Sequence, residues 1–167
     1  MSISLYAASV PAFRRALTIL RALLDKADVS AAARNFDSAV LVGARLAPDM
    51  RPLSFQVQTV TDRTKLGVSR LTGIAAPSWP DTETTMDELR ARIDKALAFL
   101  DTVDEAAFEG AAERQISTRS NGVESTVSGT EYLLANVLPN LYFHVTTAYN
   151  ILRHNGVPVG KNDYLGL

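Results

Sequence analysis

His144 is the residue best placed to do chemistry. It stands three after Leu141 and four before Ala148, so a helix through this stretch turns its imidazole onto an apolar face. A histidine there is a hydrogen-bonded core residue, a metal ligand or a general base, because imidazole titrates near neutrality and its neutral form carries one donor and one acceptor. Two side chains upstream could meet it. Asp49 and Gln56 lie seven apart, the spacing of one helix face shared with Leu53 and Val60, and either would oppose His144 at a polar spot between helices. Pro52 interrupts that continuity. Arg45, four before Asp49, offers the plainer alternative of an ion pair anchoring the corner at Pro48. Asn140 and Tyr149 complete the candidate ligand contacts, and Asn136 and Tyr142 are further polar groups on the same uncharged stretch. Tyr142 and Tyr149 are seven apart, a spacing that also suits packing or a subunit interface.

Other chemistries are excluded by what is missing. The chain has no cysteine, which removes disulfides, thiolate metal sites, iron–sulfur clusters and a cysteine nucleophile. Glycine-rich phosphate loops, nucleophile elbows and His-Glu-x-x-His pairs are absent. No metal-ligand set is assigned, and a divalent metal enters only as an alternative in which Asp49, Gln56 or Glu131 joins His144 in a one-histidine site suited to oxygen-preferring ions.

The elements that must position these residues are helices. Tyr6, Val10, Phe13, Leu17, Leu20, Leu24 and Ala27 recur at steps of four and three, the period of one helix face. Pro11 suits a first turn and places the start of the regular helix near itself. Asp37 can cap a short run from Ala39 to Val42, and Pro48 ends that segment. A second long helix begins near Pro52, with Leu53, Val57, Val60, Thr64, Val68 and Leu71 inward, and stops at Gly73. Ala75 to Pro80 is a rigid extended connection that lays Trp79 on the bundle. Thr85 and Glu88 make a capping box for a third helix with Met86, Leu89, Ile93, Leu97 and Leu100 inside and a Glu88–Arg92 pair outside. Arg114–Arg119 and Val123–Val127 flank Ser120-Asn121-Gly122, the pattern of a small β-hairpin with a tight turn.

The last helix differs from the others. From Tyr132 to Leu152 there is no charged residue, yet Asn136, Asn140, His144, Thr146, Thr147 and Asn150 would be costly in lipid. A buried central helix is expected instead, bent or split at Pro139 and stopped at Asn155-Gly156, with an extended tail. The fold class read from these elements is an all-α four-helix bundle with a small hairpin between helices three and four.

The length of 167 residues supports one domain spanning 1–167. Hydrophobic residues make up 47% and the net charge is −1 with lysine and arginine dispersed, so no footprint for nucleic acid or an anionic membrane is present. Met1 to Leu5 lacks a basic leader, and a soluble cytoplasmic protein is expected.

Two stretches carry a resemblance. They are Ala44-Arg45-Leu46-Ala47-Pro48-Asp49-Met50-Arg51-Pro52-Leu53 with Gln56-Val57, and Pro139-Asn140-Leu141-Tyr142-Phe143-His144-Val145-Thr146-Thr147-Ala148-Tyr149 running on to Val157. With Gly160-Lys161 and Tyr164-Leu165-Gly166 they resemble a bacterial and fungal domain-of-unknown-function family within the DinB/YfiT-like superfamily of four-helix bundles. The resemblance implies an up-down-down-up bundle and frequent homodimerisation. It also implies, for many relatives, a divalent metal held by three histidines, two of them four residues apart. This chain has two histidines and Ala148 stands four after His144, so a three-histidine centre cannot form within one chain. The expected function is a homodimeric binding or structural module, with a small-molecule site at the His144 level. The alternative is an atypical metal-dependent transferase or hydrolase around His144.

Overall fold

A computed structural model describes residues 3–120 and 122–167. Helix α1 runs from Leu5 to Ala33, longer at both ends than the apolar period indicates. The Ser4 hydroxyl accepts the Ala7 amide at 3.1 Å and opens the helix ahead of Pro11. Pro11 therefore sits inside α1 rather than at its start. Asp37 accepts the Ala39 amide at 2.9 Å before the one-turn helix α2, Ala39–Val42.

Helix α3, Leu53–Thr72, starts on Pro52 and ends at Gly73, whose φ of 86° is the left-handed closure that glycine allows without a Cβ penalty. Helix α4, Met86–Asp101, begins with the complete Thr85–Glu88 capping box. A 3₁₀ turn, Glu105–Phe108, leads to the hairpin of β1, Gln115–Ser120, and β2, Val123–Ser128, paired antiparallel with Gln115 opposite Ser128. Of the expected Asn121-Gly122 turn, Asn121 lies outside the described residues.

The final helical run consists of a single turn α5, Gly129–Glu131, a π-helical segment Tyr132–Val137 and helix α6, Leu138–His154. Pro139 was expected to bend or split this helix. The run is not split: it stays helical through Pro139, and the turn just before it widens to π geometry, which relieves the clash between the proline ring and the carbonyl four residues back. Beyond Asn155 the tail is not wholly extended. Helix α7, Lys161–Leu165, is capped by Asp163, which accepts the Gly160 amide at 2.7 Å.

Helices α1 and α3 each pack on both α4 and α6. The four long helices thus enclose one apolar cluster in which Phe13, Leu17, Val57, Val60, Ile93, Leu133 and Leu141 are fully buried. Close approach of α3 to the π segment depends on Gly67, where a Cβ would stand 3.0 Å from Val137. Gly129 is tighter still. A Cβ there would lie 1.8 Å from the Ala111 carbonyl oxygen.

The core also contains a charge. Arg92 was expected outside, paired with Glu88, but Glu88 is occupied by the Thr84 and Thr85 amides at 2.7 and 3.0 Å. Arg92 turns inward and is only 1% exposed. Its Nε donates to Thr61 Oγ1 at 2.8 Å, and its Nη1 to the Pro80 carbonyl and Glu83 at 3.0 Å. Its Nη2 meets Asp62 at 3.0 Å and Asp81 at 2.9 Å. Lys65, also buried, pairs with Asp62 at 2.8 Å and lies 4.4 Å over the Trp79 ring. Trp79 thus does rest on the helices, as the rigid connection implied. Burial alone would raise the Glu83 carboxyl, but hydrogen bonds from Gln58 and Arg92 outweigh it and hold the group below its ordinary value of 4.5.

Two outcomes follow from this packing. Gly129→Ala should destabilise the protein by about 1–3 kcal/mol and lower Tm by several degrees, whereas Gly43→Ala, with nothing within 4 Å of the added Cβ, should leave the melt unchanged. Arg92→Met should cost about 2–4 kcal/mol, somewhat under the value for a fully buried pair because Asp62 and Asp81 reach solvent. The lowered Glu83 group stabilises the fold above pH 4.5 and loses that contribution as pH falls through its folded value. Melts from pH 7 to pH 3 should therefore fall less steeply in Arg92→Met than in the unmodified chain.

Candidate functional site

Gln56 lies one turn into α3, where the period of Leu53, Val57 and Val60 turns it toward α6, and its side chain is 2% exposed. Its Nε2 donates to the Arg51 carbonyl at 3.0 Å. That contact orients the amide, so the atom facing α6 is Oε1. His144 Nδ1 lies 2.7 Å from it. An amide oxygen only accepts, so Nδ1 carries the proton and Nε2 keeps its lone pair. Pairing of one ring nitrogen with a fixed acceptor is the arrangement that sets which nitrogen is available for chemistry.

The ring is half-buried rather than central. Phe55 and Phe143 stand edge-on to it, with centroids 6.1 and 5.2 Å away, and the Arg51 guanidinium lies 5.3 Å over Phe55. Phe143 is 58% exposed. Burial first, and then the positive charge of Arg63, push the imidazole from 6.5 down to about 4. His144 is therefore a neutral acceptor at pH 7, on a surface rimmed by phenyl rings and arginines.

The remaining candidates are dispersed. Asp49 is exposed in the turn before α3 and makes no ion pair with Arg45, which donates instead to the Met50 carbonyl at 2.6 Å. Asn140 lies one turn from His144 but donates to the Asn136 carbonyl at 2.8 Å. Tyr149 packs edge-on to Tyr164, with centroids 6.0 Å apart, at the edge of α6 that meets α7. Among the described residues no three His, Cys, Asp or Glu side chains converge.

Sequence reading passed over Phe55, Phe143, Arg51 and Arg63. The dipeptide Phe143-His144 was visible, but only the antiparallel pairing of α3 with α6 brings Phe55 and Arg51 beside it.

The imidazole of His144 should titrate in NMR with a midpoint near pH 4 and show Nδ1 protonated and Nε2 unprotonated at pH 7. Because its folded value lies below the unfolded 6.5, the unfolded chain binds the extra proton between pH 6.5 and 4. Stability should fall through that window on acidification, by an amount absent from His144→Gln. His144→Ala should lower stability by about 1–3 kcal/mol through lost packing and an unpaired Gln56.

A family profile described as "Domain of unknown function (DUF1993)" matches residues 5–165. Among solved structures, the chain is similar to a crystal structure of a DinB family member protein from Shewanella denitrificans, with a TM-score of 0.92 and 46% identity over 98% of this chain and 92% of that one. No curated protein sequence matches. The three-histidine centre implied by the resemblance does not fit the residues present. The position opposite His144 is Gln56, the position four residues on is Ala148, and His154 is exposed at the helix end. Fold and sequence together place the chain in the DUF1993 family, within the DinB-like proteins.

Proposed function

We propose that this protein is a homodimeric binding module built on a DinB/YfiT-like four-helix bundle, and that its working surface is the outer face of α6. The observation that supports it is an exposed apolar strip on a helix without charge. Leu134, Tyr142 and Phe143 are 55%, 46% and 58% exposed, within a stretch that carries no charged side chain from Tyr132 to Leu152. Single exposed apolar residues are ordinary, but a row of them along one uncharged helix marks an interaction surface.

The occupant this face suits is a second copy. An isologous contact sets each face against itself, and a helix that carries no charge from Tyr132 to Leu152 does so without like-charge repulsion along its own length. From Gly129 to His154 the helical run is about 39 Å long at 1.5 Å per residue, and with flanking side chains such a strip approaches the roughly 800 Å² per partner of a standard interface.

The His144–Gln56 pair lies at the α3 edge of this surface and presents Nε2 as a hydrogen-bond acceptor. The reading of a metal-dependent transferase or hydrolase has less support, because Asp49 points to solvent outside the turn before α3 and Glu131 lies more than three helical turns away along the chain.

Sedimentation equilibrium at micromolar concentration should report a dimer. Phe143→Glu should convert it to a monomer of near-native helicity, since that ring contributes little to the monomer core. A chain that stays monomeric at several hundred micromolar would refute the dimer, and an unchanged dimer in Phe143→Glu would move the interface off α6.

A further inference from the structure

The edge of α6 remote from His144 borders a half-enclosed cavity of about 240 Å³ between α1, α6 and α7, and Tyr142 is shared between its wall and the outer face of α6. Ala12, Ala16 and Ile19 of α1 and Val145 of α6 form apolar walls, and Tyr142 and Tyr164 add aromatic ones. The charged side chain on its lining is Arg15. Among the described residues Arg15 makes no ion pair, and its one hydrogen bond is donated by Nη2 to the Leu165 carbonyl. A guanidinium has five N–H donors in a planar fork, so most of that fork is unused by the protein.

The cations that flank Arg15 along α1 are matched, while Lys161 of α7 is exposed and makes no ion pair among the described residues. Arg14 pairs with Asp101 at 2.6 Å, and Lys26 pairs with Asp163. Arg15 is thus an uncompensated cation at the mouth of an apolar space.

We propose that this cavity is a binding site for a small monocarboxylate with a ring-sized apolar body. Size sets the body. A dry cavity of about 150 Å³ holds benzene, so 240 Å³ accommodates a phenyl ring together with the group that links it to the mouth. Charge sets the head, because a carboxylate accepts two parallel N–H donors from one guanidinium. Helix α7 forms the lid. None of its residues is buried, and it is held over the cavity by the packing of Tyr164 on Tyr149 and by polar contacts, including Thr146 Oγ1 donating to the Tyr164 hydroxyl at 3.0 Å and the Arg15–Leu165 bond. Such a segment opens at low cost relative to the helices beneath it, and its opening gives a ligand access.

The test is an amide NMR titration of the full chain at pH 7 with benzoate and, separately, with benzamide, which has the same ring without the charge. Benzoate should produce saturable shifts at Ile19, Tyr142, Val145 and Tyr164. Benzamide should bind at least tenfold more weakly, and Arg15→Gln should weaken benzoate by about tenfold or more, as expected for a lost charge-assisted hydrogen bond. Ala12→Leu, at the rim, should abolish binding by filling the space while leaving the melt close to wild type. If Ala12→Leu is poorly folded, the surface substitution Arg15→Gln still decides the matter. Absence of saturable shifts at these residues, equal affinity for benzamide, or full affinity in Arg15→Gln would each overturn the proposal.

Discussion

The placement of α3 depends on a single buried guanidinium. Arg92 ties α3, through Thr61 and Asp62, to the connection that carries Pro80, Asp81 and Glu83, and it does so from α4. A charge this deep is tolerated only when its donors are matched by acceptors, and the matching acceptors come from two segments other than its own, α3 and the connection that precedes α4. Rotation or sliding of α3 would unpair several of them at once. The register of α3 is set from the other side by Gly67, whose missing side chain admits Val137. With α3 held on both sides, Gln56 is delivered to His144 at hydrogen-bonding distance.

The last helical run is then used on all its faces. Its inner residues Leu133, Val137, Leu141, Val145 and Ala148 close the core. Its α3 edge presents an imidazole kept neutral by burial and oriented by an amide. Its α1 edge borders the cavity under α7, and its outer face is apolar and open. The π-helical segment lets one helix carry all of this across Pro139. π turns are uncommon and recur at functional sites, and here one lies at the start of the helix that bears every candidate surface.

Much of the architecture was legible because helices announce themselves locally. Steps of three and four in α1, α3 and α4, the Thr85–Glu88 box and the Gly73 stop are all readable within a few residues. Two readings failed for the same reason. Arg92 follows Leu89 by three and precedes Ala96 by four, so its spacing already placed it on the buried face, but its charge argued for the surface. Conversely, the uncharged final helix looked like the centre of the bundle, whereas Leu134, Tyr142 and Phe143 face outward. In both, residue chemistry was weighed above periodicity, and the partners that reverse the inference lie far away in sequence.

From sequence alone it followed that the chain is helical, that a hairpin separates the last two long helices, and that no three-histidine centre can form, because periodicity, capping pairs and residue counts are local or countable properties. Only the tertiary structure decided that His144 pairs with Gln56 and not with Asp49, that Arg92 lies inside, and that a short helix after Gly160 covers an apolar cavity beside Arg15. Those outcomes depend on how separate helices are set against one another, and that register is fixed by long-range packing and hydrogen bonds, which leave no pattern in neighbouring residues.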